Sequence, residues 1–199
     1  MLGVRSYTIV RGVALALVGL VLSSASATSA GERIGRWMTE PGVSPPSYAV
    51  TEPIESNLNV DTVVLLCSDT ARGRVLEFNL YLSEPDFLLP NGADSRLLKA
   101  APLVELIVDG RSFGADLLFA DGYVIVADAI DRRQPFLSTA LLDALQYGRT
   151  MVLRFDLIQE APGQAPRFDS QLVVDLRIGQ AAIAAVRRCA AADAVQASR

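Results

Sequence analysis

Three short apolar runs separated by Asp-Gly pairs constrain this chain more tightly than any other feature. Leu103 to Val108 runs into Asp109-Gly110, Ser112 to Phe119 runs into Asp121-Gly122, and Tyr123 to Ala127 closes the set. Asp-Gly between apolar runs supplies the positive-φ positions that tight hairpins need. Residues 103–127 therefore read as an antiparallel meander. A meander with an apolar face has to bury it against more sheet or against a helix.

The flanking sequence supplies both. Val60 to Cys67 is rich in β-branched residues and ends in the turn-like stretch 68–73. Leu76, Phe78, Leu80 and Leu82 then alternate with Glu77, Asn79 and Tyr81, the period of a half-buried strand. Residues 85–92, with Pro90-Asn91-Gly92, form a loop that cannot continue a central strand. Further on, Met151, Leu153, Phe155 and Leu157 alternate with Arg154 and Asp156, and Leu172, Val174 and Leu176 alternate with Asp175 and Arg177. The loop 161–166 joins these two. Before them, Ser138 can cap a helix with apolar positions Leu141, Leu142 and Leu145 and a terminal Gly148. After Gly179, the alanine-rich residues 181–191 read as a second helix with Ile183, Val186 and Ala190 inward. The fold class that follows is mainly β: an antiparallel sandwich or curved sheet of about seven strands, with one helix inserted late and one at the C-terminus.

The first thirty residues carry a different signal. Arg5 and Arg11 make a basic start, residues 12–22 are almost entirely apolar, and 23–30 are small. Residues 1–30 read as a cleaved export signal, with Ala25-Ser26-Ala27 as the first cleavage choice and Thr28-Ser29-Ala30 as the second. The apolar run is too short to span a membrane. With no cysteine nearby and no paired arginines, the route is the general secretory one, to the periplasm or beyond. Residues 31–57 hold Pro41, Pro45, Pro46 and Pro53 without an apolar period, and are expected to be an extended or partly disordered arm, separable from the fold. Its one large apolar group is Trp37. Exposed in a polar arm, that residue would anchor a partner; the favoured alternative docks it on the domain's own core. Residues 58–192 form a single β-rich domain, and 193–199 should fray.

Export makes the two cysteines informative. Cys67 ends the first strand and Cys189 lies on the last helix, and an exported chain with two cysteines pairs them. The bridge would close a loop of about 120 residues, which chain entropy values at up to about 5 kcal/mol. No Cys-x-x-Cys spacing marks the pair as redox-active.

Histidine is absent, which removes Ser-His-Asp and Cys-His sites and the main ligand of zinc and copper centres. Lys99 is the only lysine, so a serine-lysine dyad would have to use it, yet no serine motif flanks it. Asp121, Asp128 and Asp131 lack the spacing of a calcium loop. Gly110, Gly114 and Gly122 sit at hairpin spacing, without the helix start that a phosphate loop needs. Glu105, Asp175 and Arg177 read as the solvent face of one-sided strands, and Arg132-Arg133 and Arg187-Arg188 as products of base composition. No catalytic residue, cofactor site or metal site emerges. The leader's two arginines leave with it and take the net charge from −4 to −6, which argues against nucleic acid as a partner.

The order of elements in the C-terminal half is distinctive. A helix ends in Leu141-Leu142-Asp143-Ala144-Leu145-Gln146-Tyr147-Gly148, strands 150–157 and 172–178 follow, and then come Gly179-Gln180-Ala181-Ala182-Ile183-Ala184-Ala185-Val186 and Cys189. This resembles the ending of small exported proteobacterial proteins of the invasion-associated locus B kind and of accessory proteins of type VI secretion. The resemblance implies a periplasmic or envelope protein with disulfides and no catalytic apparatus. The functional expectation is a non-catalytic exported binding or structural module of the envelope that holds another envelope protein, with a role in envelope integrity or host interaction. A small-molecule or lipid carrier is the alternative, and a hydrolase using carboxylates alone comes after it. Oligomeric state stays open.

Overall fold

The computed structural model describes residues 35–71, 73–83, 87–161, 163–165 and 167–196. Residues 1–30, read above as an export signal, residues 31–34 of the expected arm and residues 197–199 of the expected tail lie outside the described residues. In chain order the strands are β1 (Met38–Thr39), β2 (Tyr48–Thr51), β3 (Glu55–Ser56), β4 (Val60–Thr70), β5 (Gly73–Leu82), β6 (Leu98–Val108), β7 (Arg111–Ala120), β8 (Tyr123–Ala127), β9 (Ala129–Asp131), β10 (Gln134–Phe136), β11 (Thr150–Ile158) and β12 (Ser170–Asp175). The helices are α1 (Thr139–Tyr147) and α2 (Gln180–Gln196). The protein is mainly β, a curled antiparallel sheet with two helices.

The count of seven strands is corrected: among the described residues ten strands form one sheet, in the order β1-β2-β4-β5-β8-β7-β6-β11-β12-β3, and β9 and β10 form a separate ribbon. The seven expected strands are β4 to β8, β11 and β12. The five extra ones are two to four residues long, except that none carries enough alternation to be seen in sequence; partners hold them in place. α2 also runs to Gln196, into the stretch expected to fray.

Chain connectivity forces the curl. β2 and β3 stand eight strand spacings apart in the sheet order, which would be about 38 Å in a flat sheet. Only Glu52, Pro53 and Ile54 connect them, and a chain that short reaches about 14 Å. The two edges must therefore lie close to one another. Ile54 N–H donates to the Val173 carbonyl at 2.9 Å, which fixes the connection against β12.

Trp37 closes the remaining seam. The residue is 7% exposed, and its indole N–H donates to the Asp175 carbonyl at the end of β12 at 2.8 Å. Its ring lies so close over Gly179 that an added Cβ would approach indole Cε2 to 2.8 Å. The expectation of a separable arm is thus corrected. Residues 38–56 contribute three strands, and Trp37 is a core residue rather than an exposed anchor, because indole burial and a satisfied N–H are both available at the seam.

The helices close the end of the curled sheet marked by Cys67, Leu76, Val108 and Leu176. Ser138 caps α1 by accepting from Leu141 N–H, and the Asp128 carboxylate holds the Ser138 amide at 2.7 Å and its hydroxyl at 2.5 Å. Gly148 ends α1 with φ of −74°, so left-handed geometry is not its role. It is needed for space: a Cβ there would meet the Ala144 carbonyl oxygen and Val108 Cγ1 at 2.6 Å. Leu141 and Leu145 are buried, as are Ile183, Val186 and Cys189 of α2. Arg187 joins the helices by donating to Gln146 Oε1 at 2.5 Å and Asp143 Oδ1 at 2.7 Å. The expected Cys67–Cys189 disulfide is present, with Cα atoms 6.3 Å apart across 122 residues.

At the opposite end the wall of the sheet divides. β7 pairs with β6 only from Arg111 to Ala115, then with β8 from Asp116 to Ala120. The two-residue turn 109–110 makes Val108 and Arg111 a hydrogen-bonded pair, so alternate residues Leu106, Val104, Pro102 and Ala100 aim their backbone groups at β7. Pro102 has no N–H to offer, and the ladder stops there. Beyond Val104 and Ala115 the two strands are no longer paired, and a cleft lined from both of them makes this region a fork.

Trp37→Ala should lower unfolding free energy by about 3–5 kcal/mol in urea titrations, Gly179→Ala should also destabilise, and deleting 31–57 should abolish cooperative unfolding. Replacing both cysteines by serine should lower stability by up to about 5 kcal/mol without changing the far-ultraviolet circular dichroism at low temperature.

Candidate functional site

The interior of the curled sheet is filled. Leu65, Phe78, Val126, Leu153 and Leu172, from five strands, are all fully buried in one apolar cluster with the helices. Space for a ligand or partner therefore lies in surface clefts, and the fork holds an apolar one of about 310 Å³. Its walls are Leu98 and Pro102 of β6 and Phe119 of β7, its rim is Phe87, and it reaches the core side chains Leu88 and Leu157.

Strand alternation makes this opening unusual. Val104, Leu106 and Val108 of β6 are buried inward, so Ala100 and Pro102 share that face. Phe113, Ala115 and Leu117 of β7 pack on the core, so Phe119 does too by position, yet it is 54% exposed. Ala100 is exposed as well. Phe87 adds exposed apolar surface at the same cleft. Inward positions that face solvent mark a gap in the wall rather than an ordinary surface.

Lys99 stands beside the gap on the outer face. Its ammonium pairs with Asp156, which is buried, and with Glu160 Oε1 at 2.7 Å. Burial works against the charged lysine, but hydrogen bonds and charge from both carboxylates outweigh it and hold the Lys99 pKa above the ordinary value. Glu160 is held low, first by the Lys99 hydrogen bond. A lysine held protonated is unsuited to act as a general base. The neighbouring irregularity in β11 between Asp156 and Ile158 is supported by the Asp169 carboxylate, which accepts from Leu157 N–H at 3.0 Å and Ile158 N–H at 2.8 Å.

A second cleft, about 350 Å³, lies where the β9–β10 ribbon meets the end of β4 and the start of β5, with Val75 and Phe136 as its apolar part. Arg132 and Arg133 at the ribbon tip have φ of 48° and 76°. Both lie in a two-residue turn between the paired Asp131 and Gln134, which demands positive φ at both central positions. Hairpin geometry thus accounts for the backbone strain. Close to this cleft, Gln134 Nε2 donates to Glu77 Oε1 at 2.9 Å and Ser68 Oγ to Glu77 Oε2 at 3.2 Å. Glu77 and Asn79 were expected on a solvent face, but both are buried. Burial raises the Glu77 pKa, and the two hydrogen bonds only partly oppose it.

The other charged residues singled out in the sequence have separate structural work. Glu105 pairs with Arg154 at 3.4 Å, and the Arg154 guanidinium lies 4.5 Å from the centre of the Phe168 ring. The Asp175 carboxylate accepts from the Arg177 amide at 2.9 Å. Asp128 serves the α1 cap, and among the described residues no three Cys, Asp or Glu side chains gather as a metal site. No described helix is long and apolar enough to cross a membrane. The fork was missed because residues 98–102 were not read as part of a strand and 112–119 were read as uniformly paired. Pro102 within the apolar run 98–108 was the available signal.

Glu77 carries a pH prediction. Its folded pKa lies above its unfolded value near 4.5, so the folded state binds the proton more tightly and loses stability as pH rises through that window. Glu77→Gln keeps an acceptor and should remove this loss. Its urea midpoint should exceed the parent's at pH 8 by more than at pH 4.5, and an equal gap at both would refute the assignment. No protein family, curated protein or solved structure matches the chain.

Proposed function

We propose that this chain is a non-catalytic, exported module of the cell envelope that binds another envelope protein through the fork between β6 and β7. The carrying observation is that inward-facing Ala100 and Phe119 are exposed over a cleft that reaches the core, while the rest of the interior is filled. Filled interiors argue against a carrier that encloses its cargo. Apolar surface concentrated at one place, with aromatic groups on its rim, is what a protein contact uses. The leader, the disulfide and the acidic balance support an exported role. The resemblance of the C-terminal half supports an envelope or host-interaction setting.

The apolar lining of the same cleft favours one further reading, a small apolar ligand held at the fork. A photo-crosslinking residue at position 119, compared with one at the ribbon residue 136, separates the two in the intact envelope. One dominant protein adduct from 119 and none from 136 is the expected result. Lipid adducts alone from 119 would favour the ligand reading, and protein adducts from 136 alone would move the contact to the ribbon. Truncating the arm would not test this, since β1, β2, β3 and Trp37 leave with it.

A further inference from the structure

We infer that the fork accepts one extended peptide strand from its partner, paired through the backbone with β6 at Ala100 and with β7 at Leu117 and Phe119. The inference rests on the binding-module reading and adds the chemistry of the partner.

Hydrogen bonding selects this occupant. The turn 121–122 makes Ala120 and Tyr123 a bonded pair, so Leu118 and Asp116 aim their backbone groups at β8 while Leu117 and Phe119 aim theirs the other way. Ala100 aims its own into the same gap from β6. None of the three has a ladder partner on that side among the described residues. An acyl chain or other apolar molecule would fill the cleft and strand these groups, whereas a peptide strand offers donors and acceptors along both its edges.

The side chains set what the strand must look like. Its inward positions meet Leu88, Leu98, Phe119 and Leu157, so every second residue is apolar. The fork spans residues 98–103 on β6 and 116–120 on β7, which limits the paired part to about five residues. Pro102 denies one bond at the inner end. Because β6 and β7 are antiparallel, the guest runs parallel to one of them. Two carboxylates against one ammonium at Lys99, Asp156 and Glu160 favour basic residues flanking the strand.

The test uses the protein recovered from the envelope of expressing cells and four fluorescein-labelled peptides. Each is seven residues flanked by lysines, alternating threonine with valine, isoleucine, leucine or phenylalanine. Anilinonaphthalene sulfonate serves as a purely apolar probe. At least one peptide should bind by fluorescence anisotropy, and N-methylation of two central amides should weaken it about tenfold or more. Ala100→Pro should weaken it similarly with dye binding unchanged, while Ala100→Ser, which keeps the N–H, should not. Should Ala100→Pro fail to fold, Phe119→Ser should weaken peptide and dye together. Binding of the dye but of no peptide overturns the inference, as does indifference to N-methylation. A dimer in sedimentation that Ala100→Pro dissociates would overturn it in favour of a second copy. Indifference to N-methylation with protein adducts still formed at position 119 strikes the strand alone and spares the module reading.

Discussion

Everything in this fold depends on the seam where Trp37 crosses from β1 to the end of β12. The indole is held between a carbonyl and a glycine, donating to Asp175 and pressing on Gly179, so burial and hydrogen bonding act on one side chain at once. The segment that carries Trp37 also supplies both outer strands, β1 and β3. One stretch of backbone therefore determines how tightly the sheet can curl. The disulfide adds a covalent tie between α2 and β4.

The closed seam gives the fork its meaning. A sheet protects itself from adventitious pairing by shortening or covering its edges, and β1 and β3 are only two residues each. The fork is different in kind. There a single proline ends one ladder, a strand changes neighbours, and backbone groups are left facing a cleft that reaches Leu88 and Leu157. Pro102 thus limits pairing at the inner end while leaving the outer part open, and the sole lysine beside it is neutralised by Asp156 and Glu160.

The local half of this structure was legible in the sequence. Asp-Gly pairs located the β6-β7-β8 meander, alternation located β4, β5, β11 and β12, Ser138 and Gly148 bounded α1, and export logic paired the cysteines. What escaped depends on distant partners. β1, β2 and β3 have no period of their own: β2 exists because Val63 to Leu66 stand beside it, β3 because Leu172 and Val173 do, and β1 because β2 does. Glu77 and Asn79 looked solvent-facing because alternation reports one buried face and cannot see a second layer. Gly148 was found for the wrong reason, since its role is close packing rather than a left-handed turn. The fork was illegible for the same cause: Pro102 is visible in sequence, but the change of neighbour by β7 is a property of three strands together.

The pairing of early with late residues has a consequence for how fast the fold can form. Trp37 waits for Asp175, Ile54 for Val173, and Asn57 for Gln171, each contact separated by more than a hundred positions. Such contacts reward the chain only after a large loss of loop entropy has been met. The meander can assemble from neighbours in sequence, but the closed seam cannot. A chain that emerges from its N-terminus must remain an open sheet until its last strand has arrived, so completion belongs among the slow steps of protein folding.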